Sequence, residues 1–401
     1  MTIGARQQAQ GSMDDMSLAR NPVDRRPGTG KSGGMDTPFE IFLSAPPGLE
    51  AVLAEEAAEA GLATPKAVAG GVLTSGGWPD VWRANLCLRG ASRVLVRIAE
   101  FRAFHLAQLD KRAKKVDWTA YLPKGADVRV DVTCRASKIY HDRAARSRVA
   151  GAMEAAGLKV TAEGAFRVMV RIEDDLVTVS LDTSGELLHR RGYKEAVGKA
   201  PMRETLAACF LRAAGYRGTE TVVDPMCGSG TFVIEAAEIA SGLAPGRARR
   251  FAFEAFPPFD AKAYDAIRRE AGLEARPTDC RFFGADRDDG AIRGSTANAE
   301  RAGVSGVCTF TRAPVSALER PDGPPGLVMV NPPYGARIGD RKLLFGLYGS
   351  LGAVLKERFG GWRLGMVTSD GGLAKATGLD LDAGPQVAFG GLKVRLYQAA
   401  L

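Results

Sequence analysis

The chain has 401 residues, 45% of them hydrophobic and 25% charged, the balance of a globular protein of two or three domains rather than of a disordered or fibrous one. It has no apolar run of about 18 residues and no secretory-type start, so neither a membrane helix nor a signal peptide is expected, and the cytoplasm is the expected compartment. Six scattered cysteines (87, 134, 209, 227, 280, 308) form no CxxC, and three histidines (105, 141, 189) lie far apart, so free thiols and no metal site are expected. The net charge is +8, and the stretch Arg83 to Arg148 alone holds 16 Lys/Arg against 6 Asp/Glu. Charge concentrated in this way is the footprint of a nucleic-acid-binding module, a solvated helix face being the plainer alternative.

Residues 1–35 read as a disordered leader, rich in Gly, Arg, Gln and Ser without an apolar period. Its Gly28-Thr-Gly-Lys-Ser32 superficially resembles a phosphate-binding loop, but Arg25 stands where the first glycine is needed and no apolar strand precedes it. From Phe39 to Leu43 a short strand is predicted, then a turn at Pro46-Pro-Gly48 and a helix from Leu49 to Ala60. Val72-Leu73 and Ala91 to Phe101 follow as strand material, and Val128 to Val132 and Phe166 to Ile172 alternate with period two. Val177 to Leu181 reads as the hairpin partner of the last of these, so residues 36–190 have α+β character. A Gly/Lys-rich link from Gly185 to Lys199 leads to regular alternation. Helices are predicted at Thr205–Ala214, Thr231–Ala240, Asp289–Ala302 and Leu343–Phe359. Strands are predicted at Thr221–Val223, Phe282–Phe283, Val307–Phe310, Leu327–Val330 and Leu364–Thr368, with a terminal hairpin between Pro385 and Ala399. Alternation of this kind makes residues 191–401 an α/β, doubly wound parallel sheet.

Three motifs carry chemistry. In Thr221-Val-Val-Asp-Pro-Met-Cys-Gly-Ser-Gly-Thr231 an apolar strand ends in Asp224 and a Gly-x-Gly turn opens a helix. Gly228 and Gly230 let a ligand approach the backbone, and a carboxylate can sit at the helix start. In Phe282-Phe-Gly-Ala-Asp286 a second acidic residue closes the next strand, where such a carboxylate accepts from both hydroxyls of a cofactor ribose. The gap between the two acids is far wider than a minimal βαβ unit of about 20 residues allows, so an insertion from about Gly242 to Cys280 is expected to be looped out. In Val328-Met-Val-Asn331-Pro-Pro-Tyr334-Gly335 the prolines remove donors and leave carbonyls free. The Asn331 side-chain oxygen and the Pro332 carbonyl can accept from one base amine, turning its lone pair towards a methyl donor, and Tyr334 offers a ring for stacking.

The glycine-punctuated motif at Asp224 to Thr231 and the proline-punctuated one at Asn331 to Gly335 resemble those of class I methyltransferases acting on exocyclic base amines. Over residues 36–399 the chain is similar to bacterial 23S rRNA guanine-N2 methyltransferases with a THUMP domain. The residues that carry this are Ala45-Pro-Pro-Gly-Leu-Glu50, His189-Arg-Arg-Gly-Tyr193, Ala200-Pro-Met-Arg-Glu-Thr-Leu-Ala207, Asp224 to Thr231, Asn331 to Gly335 and Gly360-Gly-Trp362. The resemblance implies a ferredoxin-like and THUMP RNA-binding region at 36–190, then a Rossmann-like domain at 191–401 that binds S-adenosylmethionine. It implies cofactor contacts from Pro201, Glu204, Asp224, Pro225, Cys227, Gly228, Gly230, Thr231 and Asp286, and a catalytic set of Asn331, Pro332 and Tyr334. Glu204 can equally be an ordinary acid in a first helical turn. Relatives usually place an acid against the cofactor's adenine after Phe310, where this chain reads Thr311-Arg-Ala-Pro-Val-Ser-Ala-Leu318, without one. Some relatives carry a second methyltransferase domain, whereas a single one, residues 191–401, is expected in this sequence.

The resulting expectation is methyl transfer to a base amine of ribosomal RNA, guanine N2 of 23S RNA in particular, with no metal, no membrane and no obligate protein partner. An adenine-N6 DNA methyltransferase would use the same AsnProProTyr chemistry, and a non-catalytic RNA-binding assembly factor could retain the fold.

Overall fold

The computed structural model describes residues 38–195, 202–334 and 341–401. The leader, Pro201 and Gly335 lie outside the described residues.

The first half of the chain builds one eight-stranded sheet from β1 (Phe39–Ser44), β2 (Ala63–Val68), β3 (Gly71–Gly76), β4 (Arg93–Arg102), β5 (Asp127–Arg135), β6 (Lys159–Val160), β7 (Phe166–Glu173) and β8 (Leu176–Asp182). Between them run α1 (Glu50–Glu59), α2 (Trp78–Cys87), α3 (Leu106–Ala113) and α4 (Asp142–Ala155). The strand order is β2-β3-β1-β4-β8-β7-β5-β6. β4 joins its two parts: Arg93–Val96 pairs with β1 and Leu95–Arg102 with β8. The period-two reading of β7 holds, since Val168, Val170 and Ile172 are all buried, and its hairpin with β8 pairs Val168 with Leu181.

The second half contains α5 (Glu204–Ala213), β9 (Val222–Asp224), α6 (Thr231–Ala240), α7 (Ala261–Glu270), β10 (Phe282–Asp286), α8 (Asp289–Ala302) and β11 (Cys308–Arg312). It continues with β12 (Leu327–Val330), α9 (Arg341–Arg358), β13 (Arg363–Thr368), α10 (Gly371–Ala376), β14 (Asp382–Ala383), β15 (Val387–Phe389) and β16 (Leu392–Ala400). The sheet order is β11-β10-β9-β12-β13-β16-β14. Its first five strands are parallel and β16 returns antiparallel, making the expected terminal hairpin with β15. All four residues of β12 are buried, as befits a central parallel strand covered on both faces. Chain order reverses at β9, so the crevice at the carboxyl ends of β9 and β12 is the switch point where Rossmann-like sheets bind ligands.

The expected looped-out insertion is corrected by the structure. Residues 242–280 run back over the first half, where Phe251, Phe253, Phe256 and Tyr264 join its core. Trp82 lies 6.3 Å from Phe253 and 5.6 Å from Phe259, centroid to centroid. Aromatic burial at this density outweighs the entropy of closing a long loop, which grows only slowly with length. A second seam is ionic. Glu235 and Glu238 of α6 are fully buried. Glu235 accepts from Arg89 at 2.7 Å and from Arg191 at 2.8 Å, while Glu238 accepts from Arg247 at 2.6 Å. Arg89 and Arg93 belong to the basic stretch, yet they are spent inside the fold; Arg93 pairs with the buried Asp182.

Candidate active site

Asp224, Asp286 and Asn331 come from three strands far apart in sequence and meet at one edge of the sheet. Asp224 ends β9 and Asp286 ends its neighbour β10, while Asn331 directly follows β12 on the other side of β9. Asp224 is 2% exposed, and its carboxylate accepts from the Met226 amide at 3.0 Å. Burial pushes its carboxyl up to about 8; the Met226 amide pulls it down and the charge of Asp286 adds to the rise. Asp286 is more open and organises the turn. It accepts from the Gly228 amide at 3.0 Å and from the Asp288 amide at 2.9 Å, leaving further lone pairs for a ligand.

The turn from Pro225 to Gly230 is held from within. The Cys227 amide donates to Ala285 and the Gly230 amide to Cys227, and Pro225 is buried. The Cys227 thiol is buried and raised by desolvation, so this residue shapes the turn and offers no nucleophile. Gly228 (φ +52°) would meet nothing within 4 Å if it carried a Cβ, which is the open backbone a ligand needs. Gly230 (φ +77°) differs: a Cβ there would come within 2.9 Å of Ser295, so this glycine lets α6 pack against α8. Without a side chain it also leaves α6 with no side-chain cap, so the helix start presents first-turn amides to an anion.

Lys194 was not foreseen. Its ammonium donates to the Thr231 hydroxyl at 2.8 Å and to the Met202 carbonyl at 2.6 Å, and it lies 3.6 Å from the Glu204 carboxylate. Ser229 and Thr231 share a hydroxyl contact at 3.2 Å. Glu204, in the first turn of α5, is 3% exposed, with burial raising its carboxyl and Lys194 opposing that. Lys194 therefore bolts the segment before α5 to the start of α6. A lone lysine in a polar link gives no sequence signal for this.

In the third motif the Asn331 side-chain oxygen is buried and has no hydrogen-bond partner among the described residues. Pro333 is fixed by Tyr348, whose hydroxyl lies 3.4 Å from its carbonyl and 3.2 Å from Thr368. Tyr334 follows directly on this turn. It is only 8% exposed and packs in the core, with an unpartnered hydroxyl among the described residues, so base stacking requires a face of the ring to be uncovered. Near Pro314 the absence of an acid is matched by a backbone bond, Ala313 donating to the Asp286 carbonyl at 3.0 Å.

A Rossmann-like sheet with an acidic strand end, an uncapped helix start and an orphaned amide oxygen at its switch point is a methyltransferase architecture. The chain belongs to the RMKL-like methyltransferase domain family, whose model matches residues 191–396; an RlmL ferredoxin-like domain matches residues 40–95. Among curated proteins it is 37% identical over 386 residues to the ribosomal RNA large subunit methyltransferase K/L of Syntrophotalea carbinolica, covering 90% of this chain and 53% of that one. It is 34% identical over 362 residues to the protein of that name from Chromohalobacter salexigens, covering 85% and 50%. The chain thus spans about half the length of the curated relatives it matches. Among solved structures, the SMU.472 methyltransferase in complex with SAH is 29% identical, with a TM-score of 0.82 and coverage of 91% of this chain and 99% of that one. A protein described as a predicted N6-adenine-specific DNA methylase from Listeria monocytogenes is 31% identical, with a TM-score of 0.80 and coverage of 90% and 96%.

Proposed function

We propose that the protein transfers a methyl group from S-adenosylmethionine to the exocyclic amine of a base in ribosomal RNA, with guanine N2 of 23S RNA as the specific target and the cytoplasm as its compartment. One observation carries the chemistry: a buried, unpartnered amide oxygen at Asn331, at the switch point of the sheet. Such an acceptor costs about 1–3 kcal/mol unless a ligand supplies a donor, and a base amine is a donor of the right kind. The names of the curated relatives support RNA, as does the match of residues 40–95 to an RlmL domain.

When bound, S-adenosylmethionine supplies a methyl group on a positively charged sulfur, which an amine lone pair can attack. The residues present fit that group. Asp286 takes ribose hydroxyls with the lone pairs its two backbone donors leave free, and the uncapped start of α6 at Gly230-Thr231 takes a carboxylate. Asp224 sits at the bottom of the crevice, where a cation favours its ionised form. Pro225, Cys227 and Gly228 shape the turn, and Glu204 with Lys194 closes its flank; Pro201, outside the described residues, is assigned to the same flank by resemblance. Asn331 and the Pro332 carbonyl accept the two N–H bonds of the target amine, which stops its rotation and directs its lone pair. The nitrogen becomes positive on transfer and gives its proton to solvent afterwards, so no strong base is required. Residues 36–190, ferredoxin-like and THUMP-like, hold the RNA, and residues 191–401 carry out the transfer.

A second reading, methylation of adenine N6 in DNA, draws on the description of the Listeria relative and uses the same Asn331 geometry. Labelled methyl transfer to total RNA from cells lacking the protein, to assembling ribosomal particles and to duplex DNA separates the two. N2-methylguanine in 23S RNA, lost in Asn331→Ala, is the expected result. Label confined to DNA would move the assignment to adenine, and RNA binding without transfer to any substrate would leave a binding factor.

A further inference from the structure

β4, β5 and β7 run in one direction, because β4 and β7 both pair antiparallel with β8 and β5 pairs parallel with β7. Their carboxyl ends therefore share one edge of the first sheet, and the loops leaving them are tied together. The Ala103 amide donates to the Asp175 carbonyl at 2.9 Å, the Lys138 amide to the Asp175 carboxylate at 2.7 Å, and the Asp175 amide to the Ser137 hydroxyl at 3.0 Å. Ala136, Asp174 and Asp175 hold φ of +47°, +49° and +61°, strained values kept only where the surroundings enforce them.

This corner presents aromatic rings to water. Ala103 and Ile139 are buried and anchor their loops, while Phe104 and Tyr140 beside them are 41% and 71% exposed. The same pattern opens both helices: Phe104-His105 precedes α3 and Tyr140-His141 precedes α4, with each histidine at the N-cap. The Lys138 ammonium lies 4.9 Å from the centre of the Phe104 ring, and the Tyr140 and His141 rings are 4.1 Å apart. α3 and α4 pack side by side. Arg143, Arg146 and Arg148 of α4 are exposed and form no ion pair or hydrogen bond among the described residues. Of the nearby acids, Asp175 accepts from the Lys138 amide and Asp142 from the Cys134 amide, while Asp174 is exposed. Rings interleaved with cations, without an aliphatic surround, suit a polyanion that carries flat bases better than a protein partner's apolar core.

We propose that this corner is a platform for unpaired nucleotides of RNA, one base stacking on Tyr140 and its neighbour on Phe104, with phosphates met by Lys138 and the α4 arginines. The proposal rests on the RNA reading above and adds a contact on the other sheet from the methyl transfer. A duplex, whose base faces are already stacked, gains nothing from the rings, so the platform selects RNA with an unpaired stretch.

The test uses the full chain and fluorescence anisotropy with a labelled, unstructured RNA of about 12 nucleotides, within the span of one such groove, and with a blunt RNA duplex. Tyr140→Ala and Phe104→Ala should each weaken single-strand binding about tenfold, with duplex affinity within about twofold of the unchanged chain. Tyr140→Phe should restore the affinity, because the ring is what acts. Unchanged S-adenosylmethionine binding serves as the folding control. Single-strand affinity unaffected by Tyr140→Ala, or lost equally for strand and duplex, would overturn the proposal, as would a dimer that depends on Tyr140. Methylated RNA with unaffected variants would sink the platform alone. Methylation confined to DNA would sink the RNA reading itself.

Discussion

At the carboxyl edge of β9, β10 and β12, polar groups are withdrawn from water: Asp224 is 2% exposed and the Asn331 oxygen has no partner among the described residues. At the carboxyl edge of β4, β5 and β7 the reverse holds, with the Tyr140 ring 71% exposed and Phe104 41% exposed. Both sheets use parallel strands to bring distant residues to one edge, and both depart from the usual sorting of polar and apolar groups. The departures differ in cost and therefore in use. An unpaired buried acceptor costs about 1–3 kcal/mol and is tolerated where a bound ligand supplies the missing donor in a fixed geometry. An exposed ring costs less and suits a flexible chain that binds and leaves.

The largest effect is expected where the two sheets are joined. Glu235 is buried between Arg89 of the first half and Arg191 of the link. Glu235→Ala strands two arginines without their shared carboxylate and should cost about 3–5 kcal/mol in urea unfolding. A loss below about 1 kcal/mol would mean that the two edges are mechanically independent. Next comes Asn331→Ala, expected to lower kcat about 100- to 1000-fold, as removal of one aimed hydrogen-bonding group does elsewhere. Stability should hold or rise slightly, because an orphaned acceptor is removed. Collapse of cofactor affinity in calorimetry, with kcat retained at saturation, would instead make Asn331 a cofactor ligand.

What could be read in advance follows from locality. Asp224 to Thr231 and Asn331 to Tyr334 are short runs whose glycines and prolines announce the backbone they need, and the apolar β12 flags its own burial. Residues 242–280 could not be read in this way. Their aromatics pack on Trp78 and Trp82, far away in the sequence, and no periodicity reports a contact at that distance. Part of the basic stretch was likewise ambiguous: Arg89 and Arg143 are the same residue type within it, yet one is internal and the other exposed. Tyr334 shows a further gap, since a motif places a residue at the site but says nothing of which way its ring is packed.

A smaller effect sharpens the contrast between the two glycines of the turn. Gly230→Ala adds a Cβ 2.9 Å from Ser295 at φ +77°, and should cost about 1–3 kcal/mol in thermal or urea unfolding. Gly228→Ala meets open space at φ +52° and should cost only about 1 kcal/mol, while weakening cofactor binding in calorimetry if a ligand lies against that backbone. Equal stability losses with equal affinities would remove the distinction between a packing glycine and a ligand glycine.

The most subtle effect is a slope. Asp224 has its carboxyl raised by burial to about 8, above its unfolded value near 3.8, so the folded state holds a proton that the unfolded state loses. Its contribution is whole below about 4 and runs down as pH rises towards 8, by at most about 1.4 kcal/mol per pH unit. His189 works in the opposite sense. Burial, helped by Arg203 and Arg190, lowers it to about 4, so its contribution is present above about 6.5 and is lost as pH falls towards 4. The two oppose each other at acid pH, and between about 6.5 and 8 the Asp224 slope stands clear of His189. Thermal midpoints of the unliganded protein should therefore fall across that window, and Asp224→Asn should flatten the fall. Saturating S-adenosylmethionine should flatten it too, because a cation beside Asp224 favours the ionised form and brings its folded pKa back towards the unfolded one. A fall that persists unchanged in Asp224→Asn would place the proton on another group, leaving Asp224 as ordinary strand-end polarity like the acids that cap the loops of the first sheet.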